Sequence, residues 1–123
     1  MSMVESSTLI LLLVGIIFSI VGFIFRIFPP KKINWIYGYR TFSSMKNADT
    51  WNVANKYSAE LMIAEGITLT ILGVAILFIP NPGITTAILA IGLILLSAII
   101  LIVATERQLN KVFDHQGKRK YNV

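Results

Sequence analysis

The stretch LMIAEGITLTILGVAILFIPNPGITTAILAIGLILLSAIILIVA, residues 61–104, carries one charged side chain, Glu65, and is interrupted only by Pro80-Asn81-Pro82-Gly83. About 20 apolar residues wound as a helix cross the ~30 Å of bilayer hydrocarbon. The stretch therefore reads as two membrane spans, 61–79 and 84–104, joined by a tight turn of proline, asparagine and glycine. A third apolar run lies upstream, over residues 8–28. Met1 to Ser7 holds no Lys or Arg, and no small-x-small cleavage site follows the run, so it reads as a retained first span and not as a removed signal. The expected fold is an all-α membrane protein of three transmembrane helices. One polar connection (29–60) and a tail (105–123) leave no room for a separate soluble core.

The composition agrees, with 55% hydrophobic residues, 14% charged and a mean hydropathy of +0.74 against about 25% charged in soluble proteins. The eleven basic residues all fall in the connection, at its edges or in the tail; the N-terminus and the 80–83 turn have none. Positive residues stay on the cytoplasmic side, so the expected orientation is N-terminus outside and C-terminus cytoplasmic. In that orientation any homo-oligomer is parallel. The net charge of +5 is accounted for by anionic headgroups of the lipid bilayer, without nucleic acid.

Small residues recur at one spacing. Gly15, Ser19 and Gly22 in the first span match Gly66, Thr70 and Gly73 in the second, and Thr86, Ala90, Ser97 and Ala104 form a stripe on the third. Such stripes let helix backbones approach where lipid supplies no hydrophobic drive, so spans one and two are expected to pack on each other. Pro29-Pro30 ends span one. The aromatic Ile33–Tyr39 segment is too short to cross and is expected in the membrane interface before span two. Asn47 is placed to cap a helix running unbroken to Ile79, long enough to stand out of the bilayer at its start. After Ala104, Leu109, Val112 and Phe113 are expected to keep one face on the membrane surface for two turns.

With no cysteine, thiolate chemistry and sulfur-ligated metals are excluded. His115 is the single histidine and has no ligand or triad pattern around it; Ser43, Ser44 and Ser58 have no histidine at a plausible depth. No catalytic group, metal or cofactor is expected, and the chain does not read as an enzyme. One polar line does appear. Trp51, Asn55, Ser58 and Glu65 fall within about 80° of each other on a helical wheel. Glu65 lies about one turn inside the apolar stretch, where an ionisable group is a functional candidate by default. Its expected partner is Arg40. Glu65 reads as a static pin with Arg40, a carboxylate reaching the headgroup layer, a ligand site or a proton-coupled site, and the residues alone leave these open.

Gly38-Tyr39-Arg40-Thr41, a polar stretch to Asn47, then Trp51 and Ala54-Asn55-Lys56 resemble the signature of the SdpI family of bacterial membrane proteins. Phe42 stands where that family usually has proline. The resemblance marks Gly38, Arg40, Thr41, Asn47, Trp51 and Asn55 as signature positions. It implies an immunity and signalling protein of the cell membrane, multi-pass, that protects against a sporulation-delaying peptide toxin and holds a cytosolic repressor at the membrane. Physically, the signature suits a docking element in which Gly38 bends the chain, Arg40 offers a donor fork, Asn47 caps and Trp51 anchors at the headgroups. The alternative is a small oligomeric transporter or channel, with Asn55, Ser58 and Glu65 lining a polar path between protomers.

Overall fold

The computed structural model describes residues 3–80 and 83–120 and consists of three long helices: α1 (Met3–Ile27), α2 (Ala48–Leu77) and α3 (Ile84–Val112). Each is long and apolar enough to cross a membrane. Asn81 and Pro82 of the expected turn, and Tyr121 to Val123 of the tail, lie outside the described residues.

α1 stops where the prolines require it. Phe28 still donates to Ile24, and the chain then leaves the helix at Pro29-Pro30. α2 starts behind a complete capping box. The Asn47 side chain accepts from the Thr50 amide at 2.9 Å, and the Asn47 amide donates to Thr50 Oγ1 at 3.1 Å. With 30 residues α2 is about 45 Å long, which exceeds the ~30 Å hydrocarbon layer.

α1 and α2 pack antiparallel along the repeated small residues. A Cβ added at Gly15 would sit 2.6 Å from Thr70 Oγ1, one at Gly66 2.5 Å from the Ser19 amide nitrogen, and one at Gly73 2.7 Å from Leu12. At Gly15 and Gly66, where the facing atoms include backbone, only glycine fits; at Gly73 the facing atom is the end of the Leu12 side chain. The Ser19 and Thr70 hydroxyls return to their own helices, donating at 2.8 Å to Gly15 and Gly66 carbonyls, so neither leaves an unpaired donor in the apolar layer.

α3 rests on the hairpin by its expected stripe. Thr86, Ala90 and Ser97 are buried; Ala104 is half-buried and the fully buried residue there is its neighbour Thr105. Leu11, Leu69, Ile76 and Ala90 form the core at one level. A second core lies at the basic end of the molecule, where Leu109 and Phe113 close on Ala54 with Tyr39 and Val53 around them. These tail residues were expected on the membrane surface. They pack inward because α3 continues to Val112 beside the overhanging start of α2, whose apolar side would otherwise be left bare.

Candidate functional site

The signature residues fold into one polar knot at the basic end. The connection between Phe28 and Asn47 has no helix and is held by side chains. Asn34 Oδ1 accepts from the Ile36 and Tyr37 amides, making a turn that leaves Trp35 and Ile36 almost fully exposed. At Gly38 the chain takes a positive φ of 109° and passes so close to α2 that a Cβ would lie 2.5 Å from Asn55 Oδ1.

Asn55, buried on α2, then treats the connection as a strand neighbour. Its Oδ1 accepts from the Tyr39 amide at 2.6 Å, and its Nδ2 donates to the Tyr39 carbonyl at 3.3 Å and to Trp51 O at 2.9 Å. One amide thereby satisfies both backbone groups of a residue that belongs to no secondary structure. One turn earlier, Trp51 is fully buried and its indole N–H donates to the Pro30 carbonyl. The expected headgroup anchor is thus an internal lock. A tryptophan at this depth needs a partner for its N–H, and the backbone freed by Pro29-Pro30 supplies one.

Thr41 and Ser44 complete the turn before the cap. The Thr41 amide donates to Ser44 Oγ at 2.8 Å, the Ser44 amide donates to Thr41 Oγ1 at 3.2 Å, and the Thr41 hydroxyl reaches Glu106 of α3 at 3.3 Å. Burial and the Glu106 carboxylate together push the Tyr39 phenol above its ordinary range, so it stays protonated.

Residues beyond α3 close the knot. Phe113–Lys120 turns back as a strap, with Gly117 at a positive φ of 80° and the Lys120 amide bonded to the Val112 carbonyl. Asn47 Nδ2 donates to the Gly117 carbonyl at 2.8 Å, Lys46 Nζ to that of His115 at 2.6 Å, and Arg119 grips the Asp49 carboxylate through two bonds of 2.7 Å. That guanidinium holds the Asp49 carboxyl below its usual range. Sequence reasoning gave no site role to Tyr39, Ser44, Thr50, Glu106, Gly117 or Arg119. For the strap one signal was present: Asp114-His115-Gln116-Gly117 has the Asp-x-x-Gly form of a type I turn.

The six signature positions differ in one respect. Gly38, Thr41, Asn47, Trp51 and Asn55 are engaged inside the knot, whereas Arg40 is exposed. Ser58, also buried, donates to the Asn55 carbonyl at 3.3 Å.

Glu65 goes elsewhere. The expected contact with Arg40 is not formed: both Glu65 carboxylate oxygens are buried and make no hydrogen bond, in a groove of about 230 Å³ between α2 and α3 lined chiefly by leucines with Thr68 and Ser97. The reason is the direction of each helix face. The Asn55 side of α2 turns to the connection, while the side with Glu65 turns to α3. Glu60 at the opposite side of α2 meets Arg26 of α1 at 3.2 Å, with both side chains half exposed. Among the described residues no cluster of His, Asp or Glu has the makings of a metal site.

Comparison with known proteins gives a consistent placement. The chain is 37% identical over 103 residues to "Uncharacterized protein YfhL" of Bacillus subtilis (strain 168), covering 84% of this chain and 88% of that relative. No solved structure matches it. The profile of the SdpI/YfhL protein family matches residues 31–105, which takes in the connection from Lys31 onward, all of α2, and α3 as far as Thr105. With three helices fit to cross a membrane and all six signature positions inside the matched segment, the chain belongs to the SdpI/YfhL protein family.

Proposed function

We propose that this protein is a membrane immunity protein that protects the cell against a membrane-active peptide toxin by binding, and that its basic end faces the cytosol and presents Arg40 to a regulator there. The observation that carries this reading is the contrast within the signature. Five of its residues are used up in shaping the connection and holding it against α2 and α3, which makes a rigid platform, and the sixth is a free planar donor fork on the outside of that platform. A fork with no internal task is suited to a carboxylate or phosphate of a partner. Phe42, 87% exposed beside it, adds an apolar contact of the kind that docking surfaces use. The orientation follows from the clustering of all eleven basic residues at this end. In that orientation copies of the chain associate in parallel.

The test is growth and membrane potential of cells expressing the protein, challenged with the sporulation-delaying peptide toxin after which the family is named. Wild type is expected to preserve both and Arg40→Ala to lose protection while accumulating to the same level in the membrane. Protection undiminished in Arg40→Ala removes the role given to that residue. No protection by either, together with an ion leak abolished by Glu65→Gln, establishes the transporter reading instead.

A further inference from the structure

The groove between α2 and α3 has a polarity that selects its occupant. Three side chains bring oxygen to it: Glu65, Thr68 and Ser97. The Thr68 hydroxyl proton is already given to the Ala64 carbonyl at 2.8 Å, and that of Ser97 to the Ile94 carbonyl at 2.8 Å. Each hydroxyl therefore keeps only acceptor lone pairs for the groove, and Glu65 in its ionised form is an acceptor as well. No basic side chain lines it. The groove is a set of acceptors without a donor, walled by Leu72, Leu93 and Leu96.

An occupant that matches must bring donors and positive charge on an apolar body. A primary ammonium, with three donors and no acceptor, is the matching group. A carboxylate or phosphate meets like charge. A hard divalent cation takes about six to eight oxygens, more than three side chains of which two are single hydroxyls supply. The size sets the stem: a dry cavity of about 150 Å³ holds benzene, so about 230 Å³ accepts one alkyl chain and not a helix. The route is from the lipid, because Leu96 and Ile100, which line the groove, are also 51% and 43% exposed on the outer surface of α3.

We propose that this groove is a binding site for a lipophilic primary amine, its ammonium paired with Glu65 and assisted by Thr68 and Ser97, and its alkyl stem laid between α2 and α3. The site is independent of the immunity reading and of Arg40. It gives Glu65, whose two carboxylate oxygens are buried without a hydrogen-bond partner, a cation that holds it in the ionised form.

The experiment uses the full-length protein in nanodiscs of phosphatidylcholine, which has no primary amine. An octylamine carrying a photoreactive diazirine on its alkyl chain is cross-linked at neutral pH, and the labelled residues are mapped by mass spectrometry. Labels are expected on the groove walls of α2 and α3. Octylamine is expected to compete at least about tenfold better than octanol, the margin of a hydrogen bond to a charged group, with octanoate ineffective. Glu65→Gln, nearly the same shape, should erase the preference for amine over alcohol. Thr68→Leu, at an exposed position on the rim, should block labelling with the carboxylate intact.

Equal competition by octanol overturns the proposal, as does an amine preference that survives Glu65→Gln. So does labelling confined to other surfaces. Labelling that disappears as the number of protein copies per disc rises would assign the groove to a second copy of the chain, and also overturns it.

Discussion

Gly38 and Asn55 are fitted to each other within a few ångströms, and each fails without the other. A methyl group at residue 38 would meet both the positive φ and the Asn55 carbonyl oxygen 2.5 Å away, so Gly38→Ala should destabilise the protein by about 2 kcal/mol or more and loosen the connection. Asn55→Leu keeps the branched outline of the side chain but leaves the Tyr39 amide without an acceptor, a loss of about 2 kcal/mol. For both, thermal unfolding in detergent and protease cleavage within residues 38–46 are the measurements, and unchanged melting would refute the clamp. Arg40→Ala, by contrast, should melt like wild type. These residues could be picked out in the sequence as a pattern, because their order and spacing are distinctive. What they do was less legible. Trp51 reads as a headgroup anchor on composition alone, and only the path of the chain through Pro30 shows that its N–H has an internal acceptor.

Between helices the decisive feature is the closeness of α1 to α2. Gly66→Ala introduces a Cβ 2.5 Å from Ser19 backbone and must push the helices apart, whereas Gly92 on α3 has nothing within 4 Å of its added Cβ. Gly66→Ala is therefore expected to lower the melting temperature clearly, and Gly92→Ala to leave it unchanged or slightly raised through better helix propensity. Equal effects would show that the seam carries no weight. This pairing was readable beforehand, since the same small-residue spacing occurs in Gly15-Ser19-Gly22 and in Gly66-Thr70-Gly73. The start of α2 was readable too, from Asn47 ahead of Asp49. The destination of Glu65 was not. A helical wheel shows that Asn55 and Glu65 are near neighbours in angle, but not that the boundary between two packed partners runs between them.

At the scale of the whole molecule, the strap ties residues about seventy positions apart: Arg119 to Asp49 and Gly117 to Asn47. Contacts this distant leave no periodic trace, which is why the tail reads as a polar appendage in sequence. Its pH dependence has a definite sign. The Asp49 carboxyl is held below its unfolded value by Arg119, so the contact contributes at neutral pH, with its full contribution above the unfolded value near 3.9. It is lost as pH falls through the lower folded value. Amide protection, measured relative to the intrinsic exchange rate at each pH, should accordingly fall at the strap and at the first turn of α2 on acidification below about pH 4, and Arg119→Ala should show the low protection at neutral pH. A strap equally protected in both proteins would count against the tie. The same tie has a consequence for how the protein is made. Gly117 leaves the ribosome 70 residues after Asn47, a delay of roughly 4 to 14 seconds at usual rates of synthesis. Through that interval the first two helices can already be inserted and seated along their glycines while the cap of α2 waits for its last acceptor. Insertion and sealing are thus separate events in biogenesis, and a product truncated before residue 113 should complete the first and never the second.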